Sequence, residues 1–180
     1  ESLKSLGEEP AGEPVLQEVL AVEPAKSERR IPSRADYRIE ASLDGETKRL
    51  TGSLELRWTN NSGESVKDLW FHLYMNAFSN NRSTFMRESK GEGRKSYDED
   101  GWGWSQITGI RVEQYEGDAD LMHTFQYRRP DDGNPDDRTV FSVDLPPPLP
   151  SGETIKVALD WEVQLPRVRV RTGYKDAFLM

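Results

Sequence analysis

The chain has 180 residues, 34% of them hydrophobic, and a formal net charge of −8 from 24 Lys plus Arg against 32 Asp plus Glu. That length suits one domain or one domain with a tail, and the acidity argues against a nucleic-acid backbone as its main partner. The complete lack of Cys excludes disulfide scaffolds, Cys-ligated zinc and thiol catalysis, and only two His, His72 and His123, are left for a histidine metal site or triad. No apolar run approaches the roughly 18–20 residues of a membrane-spanning helix, so no transmembrane segment is expected.

Residues 1–34 hold seven Glu, four Pro, five Lys or Arg and no aromatic residue. Such a composition buries too little surface to offset the entropy of ordering, which predicts a flexible N-terminal tail or linker ahead of a domain over 35–180. No secretory signal pattern or initiator Met is present, so Glu1 reads as a processed start or one chosen in cloning. Within the tail, Val15-Leu16-Gln17-Glu18-Val19-Leu20-Ala21-Val22 lies between Pro14 and Pro24, with apolar residues at helical spacing. Eight residues do not hold a helix alone in water, which leaves a transient turn or a segment that docks on a partner.

From Tyr37 the period changes to two. Tyr37, Ile39, Ala41 and Leu43 alternate with polar residues as in a half-buried strand, and Asp44-Gly45 signals a hairpin. The return strand carries Leu50, Leu54, Leu56 and Trp58 on one face and ends at the turn cluster Asn60-Asn61-Ser62-Gly63. Leu69-Trp70-Phe71-His72-Leu73-Tyr74 is apolar on both faces, which predicts a central strand. A helical turn fits Thr84–Glu88 inside an otherwise irregular stretch over 76–105. Strands follow at Gln106–Tyr115, at Leu121–Tyr127 with Leu121, His123, Phe125 and Tyr127 on one face, and at Thr139–Leu145, where Pro146-Pro147-Pro148 and Pro150 stop the run. Ile155, Val157, Leu159, Trp161, Val163 and Leu165 form the clearest alternation, and Arg167, Arg169 and Arg171 then alternate with Val168 and Val170. About eight strands without a long helical pattern predict an all-β, antiparallel sandwich.

Candidate chemistry is sparse. A zinc peptidase site needs His-Glu-x-x-His, whereas His72 is followed by Leu73 and His123 by Thr124. Asp98-Glu99-Asp100-Gly101 and Asp131–Asp137 resemble oxygen-rich calcium turns but lack the twelve-residue spacing that ends in Glu. Trp102-Gly103-Trp104 fits either a sugar-stacking platform or a loop anchor. Arg167, Arg169 and Arg171 would present three guanidinium groups on one strand face, either docking an acidic surface or solvating an edge. No phosphate-cradling glycine loop and no nucleophile elbow is present.

Three segments together resemble the N-terminal β-domain of the aminopeptidase N-like zinc metallopeptidases. The first is Thr51-Gly52-Ser53-Leu54-Glu55-Leu56-Arg57-Trp58-Thr59-Asn60-Asn61. The second, and most specific, is Asp68-Leu69-Trp70-Phe71-His72-Leu73-Tyr74-Met75-Asn76-Ala77-Phe78, similar to the Leu-x-Phe-His-Leu-Tyr-x-Asn-Ala-Phe strand and loop of a bacterial branch. The third runs from Leu145 to Leu165, with its Leu-Pro-x-Pro-Leu and Ser-Gly-Glu signatures.

This resemblance, over roughly Tyr37 to Met180, implies a saddle-like β-sandwich that flanks the active-site cleft of a thermolysin-like catalytic domain and positions the peptide substrate. It implies no catalytic or metal residue in this chain. The Gly-x-Met-Glu-Asn and His-Glu-x-x-His motifs, and the zinc, belong to a catalytic domain expected after Met180, where the chain stops in mid-pattern. The expected partners are that domain and the peptide substrate, with Arg167, Arg169 and Arg171 as a docking row. The alternative is a stand-alone carbohydrate- or protein-binding sandwich using Trp102 and Trp104. A Pro/Glu-rich spacer ahead of the β-domain also suggests a location outside the cytoplasm, whether periplasmic, secreted or membrane-anchored.

Overall fold

The computed structural model describes residues 35–89, 101–113, 119–168, 172–176 and 178–179. The proposed tail over 1–34, with its Val15–Val22 segment, lies outside them. Antiparallel strands dominate, and their two main sheets fit a sandwich.

The first sheet begins with a long hairpin of β1 (Ala35–Asp44) and β2 (Arg49–Thr59), in unbroken register from Ala35 opposite Trp58 to Asp44 opposite Arg49. Its four-residue loop is set by Asp44, whose carboxylate accepts the amides of Glu46 and Thr47 at 2.8 and 3.3 Å and the Thr47 hydroxyl at 2.7 Å. Lys48 closes the turn at φ 59°. The second sheet draws on β3 (Val66–His72), β6 (Gln126–Arg128) and β7 (Val140–Leu149).

The remaining strands of the first sheet are β4 (Trp104–Val112), β5 (Ala119–Asp120) and β8 (Thr154–Gln164), giving the order β1-β2-β8-β4-β5. The second sheet runs β3-β7-β6, and a small hairpin joins β9 (Tyr174–Lys175) to β10 (Phe178–Leu179). A short helix, α1 (Thr84–Ser89), follows a 3-10 turn at Tyr74–Phe78.

Registers fix one face of the larger sheet. Leu54 opposes Leu159, Leu56 opposes Val157 and Trp58 opposes Ile155, while Ile110 and Val112 on β4 oppose Leu159 and Val157. Leu69, Phe141, Val143 and Leu145 meet them from the smaller sheet in one continuous core. Phe141 is fully buried, its ring 5.0 Å from Phe71 and 4.7 Å from Phe125. Each such side chain contributes about 1.5–3 kcal/mol by leaving water.

Four local expectations change. β3 is an edge strand rather than a central one, pairing only with β7 among the described residues. Its outward aromatics suit a wet face: the Arg128 guanidinium lies 5.6 Å over the Trp70 ring, and His72 stacks on Tyr74 at 3.7 Å. His123 belongs to a 3-10 turn over Met122–Thr124, so β6 starts only at Gln126.

β7 also continues through Pro146-Pro147-Pro148 to Leu149. The prolines fit because β6 pairs only with 140–142, while on the other side the register slips between Val66 and Asp68, so no ladder donor is required there. Finally, β8 ends at Gln164, and of the last alternation expected as a strand over 167–171, Arg167 forms only an isolated bridge to Tyr174, while residues 169–171 lie outside the described residues.

Candidate functional site: an uncovered sheet face and an end cleft

The larger sheet is wider than the sheet that covers it. Tyr37, Ile39 and Leu43 share the face that carries Leu56, Val157 and Leu159, since β1 opposes them to Leu56, Leu54 and Leu50. Leu56 and Leu159 are 6% and 4% exposed, whereas Tyr37, Ile39 and Leu43 are 61%, 57% and 42% exposed. Half-buried Leu50, Leu54, Trp161 and Val163 extend this strip inward along β2 and β8. Contiguous apolar surface of this kind marks a place where another protein surface is covered or bound. The alternation on β1 predicted an inward face, but what covers it depends on pairing between distant segments.

A cleft of about 580 Å³ opens at one end of the sandwich, lined by Asn76, Arg82, Trp104, Phe125, Asp136 and Arg138. Buried Asn76 is its strut: the amide donates to the Arg138 carbonyl at 2.9 Å, and its oxygen accepts the Ser105 amide at 2.7 Å. The Arg82 guanidinium grips the Asp136 carboxylate with two hydrogen bonds, 2.9 and 3.0 Å long. Thus the Asn of the most specific sequence motif ties its 3-10 turn to β4 and to the loop ahead of β7, and Leu69 and Leu73 of that motif are buried.

Two carboxylates of the Asp131–Asp137 turn are bonded to neighbouring residues. Asp132 accepts the Thr84 hydroxyl and the Asn134 amide, both at 2.9 Å. Asp137 accepts the Thr84 amide at 3.1 Å and the Thr139 amide and hydroxyl at 2.9 and 2.5 Å. The Asn134 amide and the Thr84 hydroxyl each hold the Asp132 carboxyl below the ordinary aspartate value. At Asp137, burial pushes the carboxyl up, but the bonds from Thr139 and Thr84 outweigh it and leave it lowered. These carboxylates therefore secure the start of α1. Asp98, Glu99 and Asp100 lie outside the described residues.

Trp102 and Trp104 are both half-buried. The buried Nε1 of Trp102 has no hydrogen-bond partner among the described residues. Trp104 has the Arg49 guanidinium 5.5 Å over its ring. Between them, the Gly103 amide donates to the Phe78 carbonyl at 3.1 Å, and a Cβ there would collide with Pro166. The indole that is most exposed is instead Trp70, at 51%.

Of the proposed arginine row, Arg167 is exposed, and its amide donates to the Gly101 carbonyl at 3.1 Å. Arg169 and Arg171 lie outside the described residues. His72 and His123 occupy a strand and a turn, and no group of three or more His, Asp or Glu is placed to hold a metal among the described residues. No helix among those residues is long and apolar enough to cross a membrane. Comparison with protein-family models and with curated proteins finds no match to this chain.

Proposed function

We propose that this chain is a noncatalytic β-module that docks against a further domain of the same protein, in a zinc aminopeptidase-like metallopeptidase. There it would wall one side of the substrate cleft and position the peptide. The observation that carries the docking role is the uncovered apolar strip of Tyr37, Ile39 and Leu43. The choice of a peptidase rests on the sequence resemblance, whose central motif includes the buried strut Asn76. Zinc and the catalytic groups would belong to the partner domain, and a location outside the cytoplasm accompanies this reading.

The reading frame encoding the chain tests the family directly: Gly-x-Met-Glu-Asn and His-Glu-x-x-His are expected downstream. Tyr37→Ser with Leu43→Ser tests the docking. Because both side chains are exposed, the isolated chain should keep its melting temperature. In the parent enzyme the pair should raise KM and loosen the domains with zinc content unchanged, as should reversal of Arg167, Arg169 and Arg171 to Glu. A parent frame without the zinc motif, or unaltered peptidase kinetics in both variants, overturns the proposal.

A further inference from the structure

Sheet edges expose a row of backbone donors and acceptors, and proteins blunt them with short strands, bulges or prolines. Three edges here are blunted. β5 has two residues, β6 has three, and β3 carries the register slip between Val66 and Asp68. β1 is different: ten residues, no proline, unbroken register with β2, and no strand on its other side among the described residues.

Its side chains favour a second copy of itself. Antiparallel pairing about a twofold axis at Ile39 places Arg38 of each copy opposite Glu40 of the other, Asp36 opposite Ser42, and Tyr37 opposite Ala41. An axis at Glu40 would oppose Glu40 to itself, and one at Arg38 would oppose Arg38 to itself and Asp36 to Glu40. An axis at Ile39 is thus the longest register that opposes unlike charges, and it sets the large Tyr37 beside the small Ala41. Both charged groups are available: Arg38 and Glu40 are 74% and 69% exposed and lie 2.9 Å apart within the strand.

We propose that two copies of this chain associate through antiparallel β1–β1 pairing centred on Ile39, making one continuous ten-stranded sheet. The contact lies in the plane of the sheet, so it is separate from a domain docked on the apolar face, and its failure would leave that reading intact. Opposite charges across strands stabilise pairing and like charges oppose it by similar amounts, typically a few tenths to 1 kcal/mol per pair.

The test uses sedimentation equilibrium of the full chain with charge reversals. Arg38→Glu or Glu40→Arg should each weaken the dimer by about tenfold, two like-charge pairs replacing two favourable ones. The double swap should restore it. Because the chain has no Cys, Ile39→Cys should cross-link to its own copy under mild oxidation.

Thr51→Cys, exposed on the next strand, should not cross-link. Two such positions would stand roughly 25 Å apart, three strand spacings across the sheet and six residues along it, beyond disulfide reach. A monomer at all concentrations, a dimer indifferent to the reversals, or equal cross-linking at positions 39 and 51 would each overturn the pairing.

Discussion

Trp161 occupies the space that a side chain at Gly52 would need. The two residues oppose each other across β2 and β8, and a Cβ built on Gly52 would fall 2.5 Å from Trp161 Cζ2 and against the Glu40 carbonyl. Gly52 is therefore required for close approach. Gly52→Ala should destabilise the domain by about 1–3 kcal/mol through overpacking. Trimming Trp161 to Phe in the same chain should recover part of that loss. A double-mutant cycle by urea denaturation measures the coupling, which is expected to exceed about 0.5 kcal/mol for residues in contact.

Asn60 ties the end of the hairpin to the second sheet. Fully buried, it donates to the Glu64 carbonyl at 2.8 Å and the Leu149 carbonyl at 2.9 Å, and its oxygen accepts the Ser62 amide and hydroxyl at 3.1 and 2.8 Å. All four bonding positions of the amide are filled. Asn60→Ala should lower stability by about 2–3 kcal/mol, because it strands buried partners as well as removing bonds. Asn60→Asp should be at least as damaging at neutral pH, since it sets a carboxylate against two carbonyl oxygens, and less damaging once that carboxyl is protonated. Chemical denaturation at two pH values separates the two effects.

Strand by strand, much of this fold is legible in sequence. From Ile155 to Val163 every odd residue is apolar, and each goes to the same face of β8, because a strand's side chains alternate regardless of its partner. What depends on pairing is not legible. Nothing local says that Leu56 is covered while Ile39, two strands from β8, is not. Trp70, His72 and Tyr74 look like core by hydrophobicity and lie on a wet face, since stacking on Arg128 or on one another satisfies an aromatic ring nearly as well. The buried role of Asn60 had only a turn signature to announce it.

Acid should weaken the domain. Asp44, Asp132 and Asp137 all have lowered folded-state pKa values: Asp44 through the Thr47 hydroxyl and loop amides, Asp132 through the Asn134 amide and Thr84, and Asp137 through Thr139 and Thr84 against the effect of burial. A lowered carboxyl contributes stability that is fully present above its unfolded value, about 3.9, and lost as pH falls through the folded value. Unfolding free energy should thus be insensitive to these groups above about pH 5 and should decline below about pH 4. Asp137→Asn should be less stable at pH 7 and show a flatter acid limb in denaturation curves. If it keeps the parent's acid slope, Asp137 is not among the groups that set it.

The Asp131–Asp137 turn should also be indifferent to calcium. Two of its carboxylates are bonded to Thr84, Asn134 and Thr139, and a third grips Arg82. A cation there would have to break the bonds that start α1. Millimolar calcium should leave the melting temperature unchanged, whereas Thr84→Val, which removes the hydroxyl bonded to Asp132, should lower it. A calcium-dependent rise in melting temperature would reverse this assignment.

The indole of Trp102 provides the last test, because it separates an anchor from a ligand platform. Its ring is half-buried and its Nε1 is buried without a partner among the described residues, so the N–H costs stability while the ring contributes it. Trp102→Phe keeps most of the packing and removes the stranded donor, and should stay within about 1 kcal/mol of the parent. Trp102→Ala loses the packing as well and should cost about 2–3 kcal/mol, short of a fully buried aromatic because the ring is only half covered. A sugar platform makes a different demand: polysaccharide should shift the indole emission, and Trp102→Ala should abolish that shift while leaving the melting temperature nearly unchanged. Thermal melts and fluorescence titrations of the two variants are expected to show the first pattern, with stability ordered by ring size and no polysaccharide-dependent shift in the parent chain.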